Sequence, residues 1–346
     1  MRIAVFISLG LALLTFATGA SAQNAAATKA RRTGELAVLS AAGALAQRTA
    51  LVKECEASDV AGQPAALDPA YAAFEAGCYM KSKALAEQAA AKGDATSITL
   101  LGQLYEQGMG VPQDFTKSAE WYAKAAAQGD THAQFALGMM LVEGRGIKEN
   151  KAQAAKFFEL AAAKNHDTAI YNLALLYVEG VARPQDLTKA AQLMERAALL
   201  DHAAAQYDLA AFYKEGRGVP KDEQKAVYWL GKAADAGLTN AELEYGIALY
   251  LGKGVKKDET AGFSMLRRAA EQGNPVAQNR FAHALAAGKG AKIDVVAAGK
   301  WHLLSRQSGV SDFGLDRFLA ALTPEERTKA EKAAYDWQQA TAALLD

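Results

Sequence analysis

The sequence predicts an all-α protein: a right-handed α/α superhelical solenoid of stacked antiparallel helix pairs. A unit of 36 residues repeats six times without a gap across residues 95–310. Position 14 of every unit is glycine, and position 20 is always aspartate or asparagine. Glycine ends helices in the left-handed conformation, and short acidic or amide side chains cap the start of the next helix. Each unit is therefore a helix pair that buries its apolar face only by stacking on its neighbours.

The first residues are typical of an export signal. Arg2 is followed by an apolar run from Ile3 to Phe16 and then by Ala20-Ser21-Ala22. We therefore expect residues 1–22 to be a signal peptide, cleaved near Ala22, and the mature chain to be periplasmic. No later stretch approaches about 20 uninterrupted apolar residues, so we expect no transmembrane segment in the mature chain.

An N-terminal cap is expected before the regular units. Residues 23–33 are expected to be disordered, and residues 34–94 to form a helical cap that contains a degenerate first repeat. Cys55 and Cys78 are the only cysteines. Because an exported chain meets an oxidising compartment, we predict that they form a disulfide bond, with two buried thiols as the alternative.

In the first helix of each unit, helix A, small and large residues share one face. Position 3 is alanine in five units, position 7 is leucine in four, position 8 is always glycine or alanine, and position 11 is always large. This is the spacing of a buried helical stripe. Helix A should end near position 13, before the glycine. A second glycine at position 16 allows a tight reversal of the chain, and Ala182 is the one departure from it.

The second helix, helix B, should start at the acidic or amide residue of position 20. Its buried face is predicted to carry a large residue at position 27 and, in every unit but the last, alanine at position 31; Ser305 stands there in the last unit. After the last unit, residues 311–346 are expected to form a C-terminal helical cap. Thr323, Pro324 and Glu326 form a helix-start signal there, and the helix should run to about Leu344.

At this point the repeat pattern, A-x-x-x-L-G-x-x-Y-x-x-G-x-G-V-x-x-D, resembles the Sel-one-like repeat (SLR), a branch of the tetratricopeptide superfamily. The match is best over residues 95–130 and 203–238. The closing segment is similar to that of exported alphaproteobacterial repeat proteins, a branch that includes the rhizobial exopolysaccharide regulator. The resemblance implies a scaffold that binds proteins or peptides, with helix A lining the concave face.

That resemblance places positions 2, 5, 6, 9 and 12 of helix A on the concave, partner-binding face, and the candidate groove residues stand at positions 5, 6 and 9. The groove residues would be Phe135, Met139, Tyr171, Asn172, Leu175, Tyr207, Asp208, Glu244, Ile247, Arg280 and His283. Apolar and aromatic residues beside polar ones, on a surface that the fold leaves open, suit a peptide or a partner helix. The alternative is that the aromatic residues of position 5 only pack adjacent A helices against each other.

Other functions find little support in the sequence. The 38 basic residues balance the 38 acidic ones, which argues against a nucleic-acid partner. His166 and His202 recur at the same position of consecutive units, and we interpret them as solvated loop residues rather than as a metal site. We expect a monomeric, non-catalytic adaptor or regulator of the cell envelope without a cofactor. The alternative is an envelope hydrolase like the β-lactamase-like cysteine-rich helicobacter proteins, although the six units here contain no cysteine.

Overall fold

A computed structural model describes residues 68–342 of the chain. These residues divide into two compact units, one that ends at Leu85 and one that begins at Ala86. The described residues contain sixteen helices and no strand. Within residues 95–307, every two helices that are consecutive in sequence pack against each other. The prediction of an all-α solenoid of stacked helix pairs is therefore confirmed.

The helices follow the predicted register of the repeat. Two helices precede the regular units: α1 (Pro69–Glu75) and α2 (Tyr79–Ala90). The six A helices are α3 (Ala95–Gln107), α5 (Thr131–Glu143), α7 (Asp167–Glu179), α9 (Ala203–Glu215), α11 (Thr239–Leu251) and α13 (Pro275–Ala287). The six B helices are α4 (Phe115–Ala127), α6 (Lys151–Ala163), α8 (Leu187–Ala198), α10 (Glu223–Asp235), α12 (Glu259–Glu271) and α14 (Val295–Gln307). Two further helices, α15 (Phe313–Ala321) and α16 (Pro324–Ala342), follow them.

The helix boundaries are set by the residues that the repeat conserves from unit to unit. The glycine at position 14 ends every A helix with a left-handed backbone, with φ between 64° and 77°. The residue at position 20 accepts a hydrogen bond from the backbone N–H three residues later at the start of every B helix. Both predicted signals are confirmed by this geometry.

Inside each unit, the two helices meet where position 8 faces position 28. Position 28 holds the deeply buried side chain of helix B, such as Tyr122 or Phe158, whereas position 27, predicted as the core position, is only half-buried in three units. A Cβ atom added to Gly138 would lie 2.5 Å from Cε1 of Phe158. Glycine at position 8 therefore lets an aromatic ring lie directly on the backbone of helix A.

Between units, the second glycine of the A–B loop contacts the helix B of the preceding unit. A Cβ atom on Gly146 would lie 2.1 Å from the carbonyl oxygen of Phe115. A side chain at position 16 would therefore collide with the preceding unit. In the third unit, Ala182 stands at this position, and two ion pairs cross the junction, from Lys151 to Glu179 at 2.9 Å and from Arg183 to Glu159.

The C-terminal helices cover the last unit. α16 begins at Pro324, and Thr323 and Glu326 form the reciprocal capping hydrogen bonds that the sequence predicts. It packs along α14, where the Trp301 and Trp337 rings meet edge to face with their centroids 5.7 Å apart. The short helix α15, which starts at the cap Asp312, was not predicted from the sequence.

Several predictions fall outside the described residues. The signal peptide, the segment 23–33, most of the N-terminal cap and Leu344 all lie there. Cys78 is buried at the start of α2, but Cys55 is not among the described residues, so the disulfide bond stays a prediction. None of the helices in residues 68–342 combines the length and apolar character needed to cross a membrane.

Candidate protein-binding surface

Most of the predicted groove residues lie half-buried on one surface of the A helices. We call the surface formed by positions 5, 6 and 9 of helices α5, α7, α9, α11 and α13 the A face. The opposite side of each of these helices is buried against the B helices. Arg280 is exposed, and the other ten groove residues are half-buried.

Hydrogen bonds join the A face across two junctions between units. The Tyr171 hydroxyl donates to Oδ2 of Asp208 at 2.9 Å, and the Tyr207 hydroxyl donates to Oε1 of Glu244 at 2.7 Å. The ammonium of Lys214 binds the second oxygen of Glu244 at 3.1 Å. Position 5 of one unit therefore pairs with position 6 of the next. Each of these tyrosine side chains therefore links two consecutive A helices.

The electrostatics of these pairs keep the tyrosines as donors. Burial, followed by the nearby carboxylate, raises the pKa of Tyr171 well above its usual range, so its hydroxyl keeps its proton. Burial also raises the pKa of Asp208, and the hydrogen bond from Tyr171 and the charge of Arg217 only partly offset that effect. A half-buried carboxylate with one tyrosine donor remains a strong acceptor on this surface.

Two histidines support the aromatic residues of the A face. The His166 ring stacks on Phe135 and the His202 ring stacks on Tyr171, each with ring centroids 4.7 Å apart. The Nδ1 atoms of His166 and His202 accept hydrogen bonds from the backbone N–H groups of Ala169 and Ala205. Both histidines are thus half-buried helix caps. The interpretation as solvated loop residues was wrong, because their register places them against the preceding A helix.

The remaining groove residues make more local contacts. Asn172 donates from Nδ2 to the backbone oxygen of Thr168 at 2.8 Å, within its own helix. The side chains of Met139 and Leu175 pack against the core of the first four units and the start of the fifth, and Ile247 packs against the core that follows. Their outer surfaces remain accessible beside the tyrosine and carboxylate pairs.

The C-terminal cap contacts the A face at the sixth unit. His283 Nε2 lies 2.7 Å from Oδ2 of Asp312, and Asn279 donates to the same oxygen at 3.1 Å. Although burial alone would raise the pKa of Asp312, these bonds and one from the Leu315 N–H lower it well below its usual range. The free part of the A face therefore extends over the second to the fifth unit, with Arg280 at its edge.

A serine, a histidine and an aspartate lie close together in helices α14 and α15, but their hydrogen bonds are not those of a catalytic triad. His302 Nε2 lies 2.8 Å from Oδ1 of Asp316, but the Ser305 hydroxyl donates to the backbone oxygen of His302. Both Ser305 and His302 are fully buried. A nucleophile needs a base on its hydroxyl and access to substrate, so this cluster is a core contact.

Within residues 68–342, no three His, Cys, Asp or Glu side chains lie together in a way that could hold a metal ion. His166 and His202 each use Nδ1 to cap a helix, which leaves one nitrogen on each ring for any other contact.

Comparison with known proteins agrees with the geometry of the repeat. The Sel1 repeat model matches residues 95–130, 131–166, 168–202, 203–238 and 239–274, which together exceed half of the chain. The chain belongs to the Sel1 repeat family. Sel1 repeats are generally non-catalytic scaffolds that mediate protein binding. The Sel1 family model does not match the sixth unit, residues 275–310. In the structure, however, this unit forms the same kind of helix pair as the other five.

Solved structures of Sel1-type proteins are similar to this chain. A Sel1 repeat protein from Oxalobacter formigenes is 29% identical, with 69% of this chain and 98% of that chain covered and a TM-score of 0.62. A protective antigen with an SLR fold from uropathogenic Escherichia coli is 27% identical, covering 75% and 64%, with a TM-score of 0.48. Cysteine rich protein B of Helicobacter pylori is 27% identical, covering 37% and 92%, with a TM-score of 0.32. No curated protein gives a significant match.

The hydrogen-bonded pairs of the A face were not predicted from the sequence. The partners of the tyrosines are 37 residues away, one unit plus one position. That spacing was readable as an aromatic at position 5 followed by an acid at position 6 of the next unit. The capping role of the histidines was also readable from the repeat. His166 and His202 stand at the position, just before helix A, where Asp94 and Asp130 cap the earlier A helices.

Proposed function

We propose that this chain is a non-catalytic scaffold of the cell envelope that binds another protein or a peptide on its A face. It acts as an adaptor or regulator of a signalling or assembly process, by stoichiometric binding as a monomer. Export through the segment 1–22, with cleavage near Ala22, brings it to the periplasm. Kinship with the exported alphaproteobacterial branch is part of the same proposal.

The half-exposed, pre-ordered character of the A face carries this proposal. The tyrosine hydroxyls are tied to Asp208 and Glu244, so the aromatic rings lose little freedom when a partner binds. Rings and carboxylates alternate with the apolar side chains of Leu175 and Ile247. Aromatic anchors beside fixed polar groups are typical of protein interfaces. The family membership of the chain supports the same function.

The direct test is site-specific photo-crosslinking in intact cells. A photo-reactive amino acid at position 175 or 247, on the A face, should capture one defined protein. The same residue at position 199, an exposed leucine at the end of helix α8, is the matched control and should not capture it. Equal capture from both surfaces, or capture from the control alone, would contradict binding at the A face.

Point variants then separate binding from packing. Asn172 makes its side-chain hydrogen bond within its own helix, and Arg280 is exposed. Asn172→Ala and Arg280→Glu should therefore each change the free energy of unfolding by less than about 0.5 kcal/mol. We expect at least about tenfold weaker partner binding from the pair. The alternative, in which the position 5 aromatics serve packing only, predicts that Tyr171→Phe lowers stability while binding is unchanged.

A further inference from the structure

A cavity of about 310 Å³ lies between α10, α11 and the loop that follows α11. Helix α10 contributes a stripe along one side, with Val227, Tyr228, Gly231 and Lys232 among its members. Tyr245 of α11 forms the opposite wall. This cavity is separate from the A face, because it is formed by a B helix and by position 7 of the next A helix.

Three departures from the repeat coincide at this cavity. Position 26 is polar in all the other units, yet here it is Tyr228, which is 58% exposed. Position 29 carries a side chain in all the other units, yet here it is Gly231. Position 7 is leucine or phenylalanine elsewhere and Tyr245 here. An exposed tyrosine and a glycine inside a helix do not stabilise the fold, and the glycine costs about 1 kcal/mol relative to alanine.

The three departures act together. A Cβ atom on Gly231 would lie 3.1 Å from Cζ of Tyr245, so the glycine admits the tyrosine ring beneath α10. The ring then carries its hydroxyl to the cavity, where a leucine would end short of it. Burial, followed by the charge of Asp235, raises the pKa of Tyr245, so the hydroxyl stays protonated and available as a donor.

The polar groups around the cavity have no partner of their own within the described chain. The hydroxyls of Tyr228 and Tyr245, the Lys232 ammonium and the Asp235 carboxylate make no hydrogen bond or ion pair with any described residue. The Lys232 ammonium lies only over the Tyr228 ring, 5.9 Å from its centroid. Apolar walls with a few converging polar groups that are not used by the fold are typical of a binding site.

We propose that this cavity is an anchor pocket for one aromatic side chain of a protein partner, presented beside an acidic and a basic residue. Its volume is at the lower end of the about 300–1,000 Å³ typical of ligand sites, which suits a single ring. The two tyrosine side chains of the pocket accept a further ring edge to face. Lys232 and Asp235, three residues apart on the rim, complement charges of opposite sign on the partner.

The occupant is a protein segment because the rim itself is open. Tyr228 and Lys232 are exposed, so a free small molecule would keep one face in water, whereas the backbone beside an aromatic anchor covers the rim. This pocket goes beyond the proposed function, since it adds a second contact surface outside the A face. Its test does not depend on finding the partner of the A face.

The experiment uses two short peptides with the central sequences Glu-Phe-Lys and Lys-Phe-Glu, blocked at both ends, as probes. They are titrated into the purified chain carrying ¹³C-labelled valine methyl groups, because Val227 and Val255 line the pocket. At least one peptide should shift the methyl signals of both valines in a saturable manner. Its counterpart with alanine in place of phenylalanine should bind at least about tenfold more weakly.

Two variants and a matched control complete the test. Tyr228→Gln, which copies Gln192 of the third unit, should weaken binding about tenfold without loss of stability. Gly231→Glu, which copies Glu195, should close the pocket and abolish the methyl shifts, with circular dichroism to verify folding. Gln192→Tyr places the same ring on α8, where position 29 is Glu195 rather than glycine, and should change nothing. Equal binding of the alanine peptide, unchanged binding to Tyr228→Gln, or shifts confined to other valines would each overturn the proposal.

Discussion

At the scale of single residues, two histidines couple helix formation to pH. The A helices α7 and α9 start on His166 and His202, whereas other A helices start on Asp94, Asp130 or Asn274. Nδ1 of imidazole accepts the backbone hydrogen bond only when that nitrogen carries no proton. A protonated ring would also bring positive charge to the positive end of the helix dipole.

The charged and titratable neighbours of these caps set the direction of the effect. Burial, followed by His132, lowers the pKa of His166 from its usual 6.5, and the facing Asp167 and His202 modify it only in part. Burial lowers the pKa of His202 in the same way, against the opposing charges of Asp167 and Asp208. The folded state therefore binds fewer protons than the unfolded state in this range.

We predict that the free energy of unfolding is highest above about pH 6.5 and falls as the pH decreases through the lowered pKa values of the folded state. Each histidine contributes a slope of up to about 1.4 kcal/mol per pH unit. Urea unfolding between about pH 5 and about pH 8 measures this slope. The double variant His166→Asp, His202→Asp copies the caps of earlier units and should flatten the curve. As a control, His132→Asn removes a histidine that caps no helix and should keep most of the pH dependence of the unfolding free energy. A steep pH dependence in the double variant would contradict the mechanism.

At the scale of helices, the pairing of position 8 with position 28 reverses an ordinary preference. Replacing glycine by alanine inside a helix normally stabilises it by about 1 kcal/mol. In α5, the added methyl of Gly138→Ala would lie 2.5 Å from the Phe158 ring, so we predict a destabilisation of about 1–3 kcal/mol. Thermal or urea unfolding of the variant measures it.

In another unit of this chain, an alanine at position 8 is combined with a side chain other than an aromatic ring at position 28. The third unit has Ala174 opposite Met194, both fully buried. Phe158→Met should therefore be less destabilising in the Gly138→Ala background than in the native chain, and a double-mutant cycle should give a coupling above about 0.5 kcal/mol. Additive effects of the two substitutions would show that these two side chains do not set the distance between α5 and α6.

The same pair shows how far the sequence predicts this fold. The register, the glycine ends and the caps at position 20 are local signals, and each is confirmed at its predicted residue. The choice between positions 27 and 28 is not local, because both point toward the neighbouring helices and only the packing angle decides which one is buried. The short helix α15 was missed since its only start signal is the cap Asp312. The pairs Tyr171–Asp208 and Tyr207–Glu244 depend on how consecutive units are offset, which a periodic pattern does not specify.

At the scale of the whole stack, the apolar core is divided at α11. One cluster of buried residues runs from Ile98 to Ala241, and a second runs from Leu266 to Ala334. Helix α11 lies at the division: its start has no side-chain cap, and its fully buried Glu242 forms an ion pair with Arg268 at 2.6 Å. In a stack where each unit contacts only its neighbours, such an interruption weakens the coupling between the two parts.

We therefore predict that the two core clusters respond separately to destabilisation. The tryptophans report on each part, since Trp121 and Trp229 belong to the first cluster and Trp301 and Trp337 to the second. Each cluster is followed in a variant that keeps only its own two tryptophans and has phenylalanine in place of the other two. In both variants, Leu209→Ala should remove about 2–5 kcal/mol of stability from the first cluster. The urea midpoint reported by Trp121 and Trp229 should fall clearly more than the midpoint reported by the second pair.

The reciprocal substitution supplies the control for this experiment. Leu266→Ala, in the second cluster and buried to the same degree, should shift the signal of Trp301 and Trp337 by the larger amount. The double variant Glu242→Leu, Arg268→Met replaces the ion pair by two apolar side chains. The apolar core should then be continuous across α11, so the two urea midpoints should come together. Coincident midpoints in the native chain, shifted equally by either leucine substitution, would show instead that all the units unfold as one cooperative body.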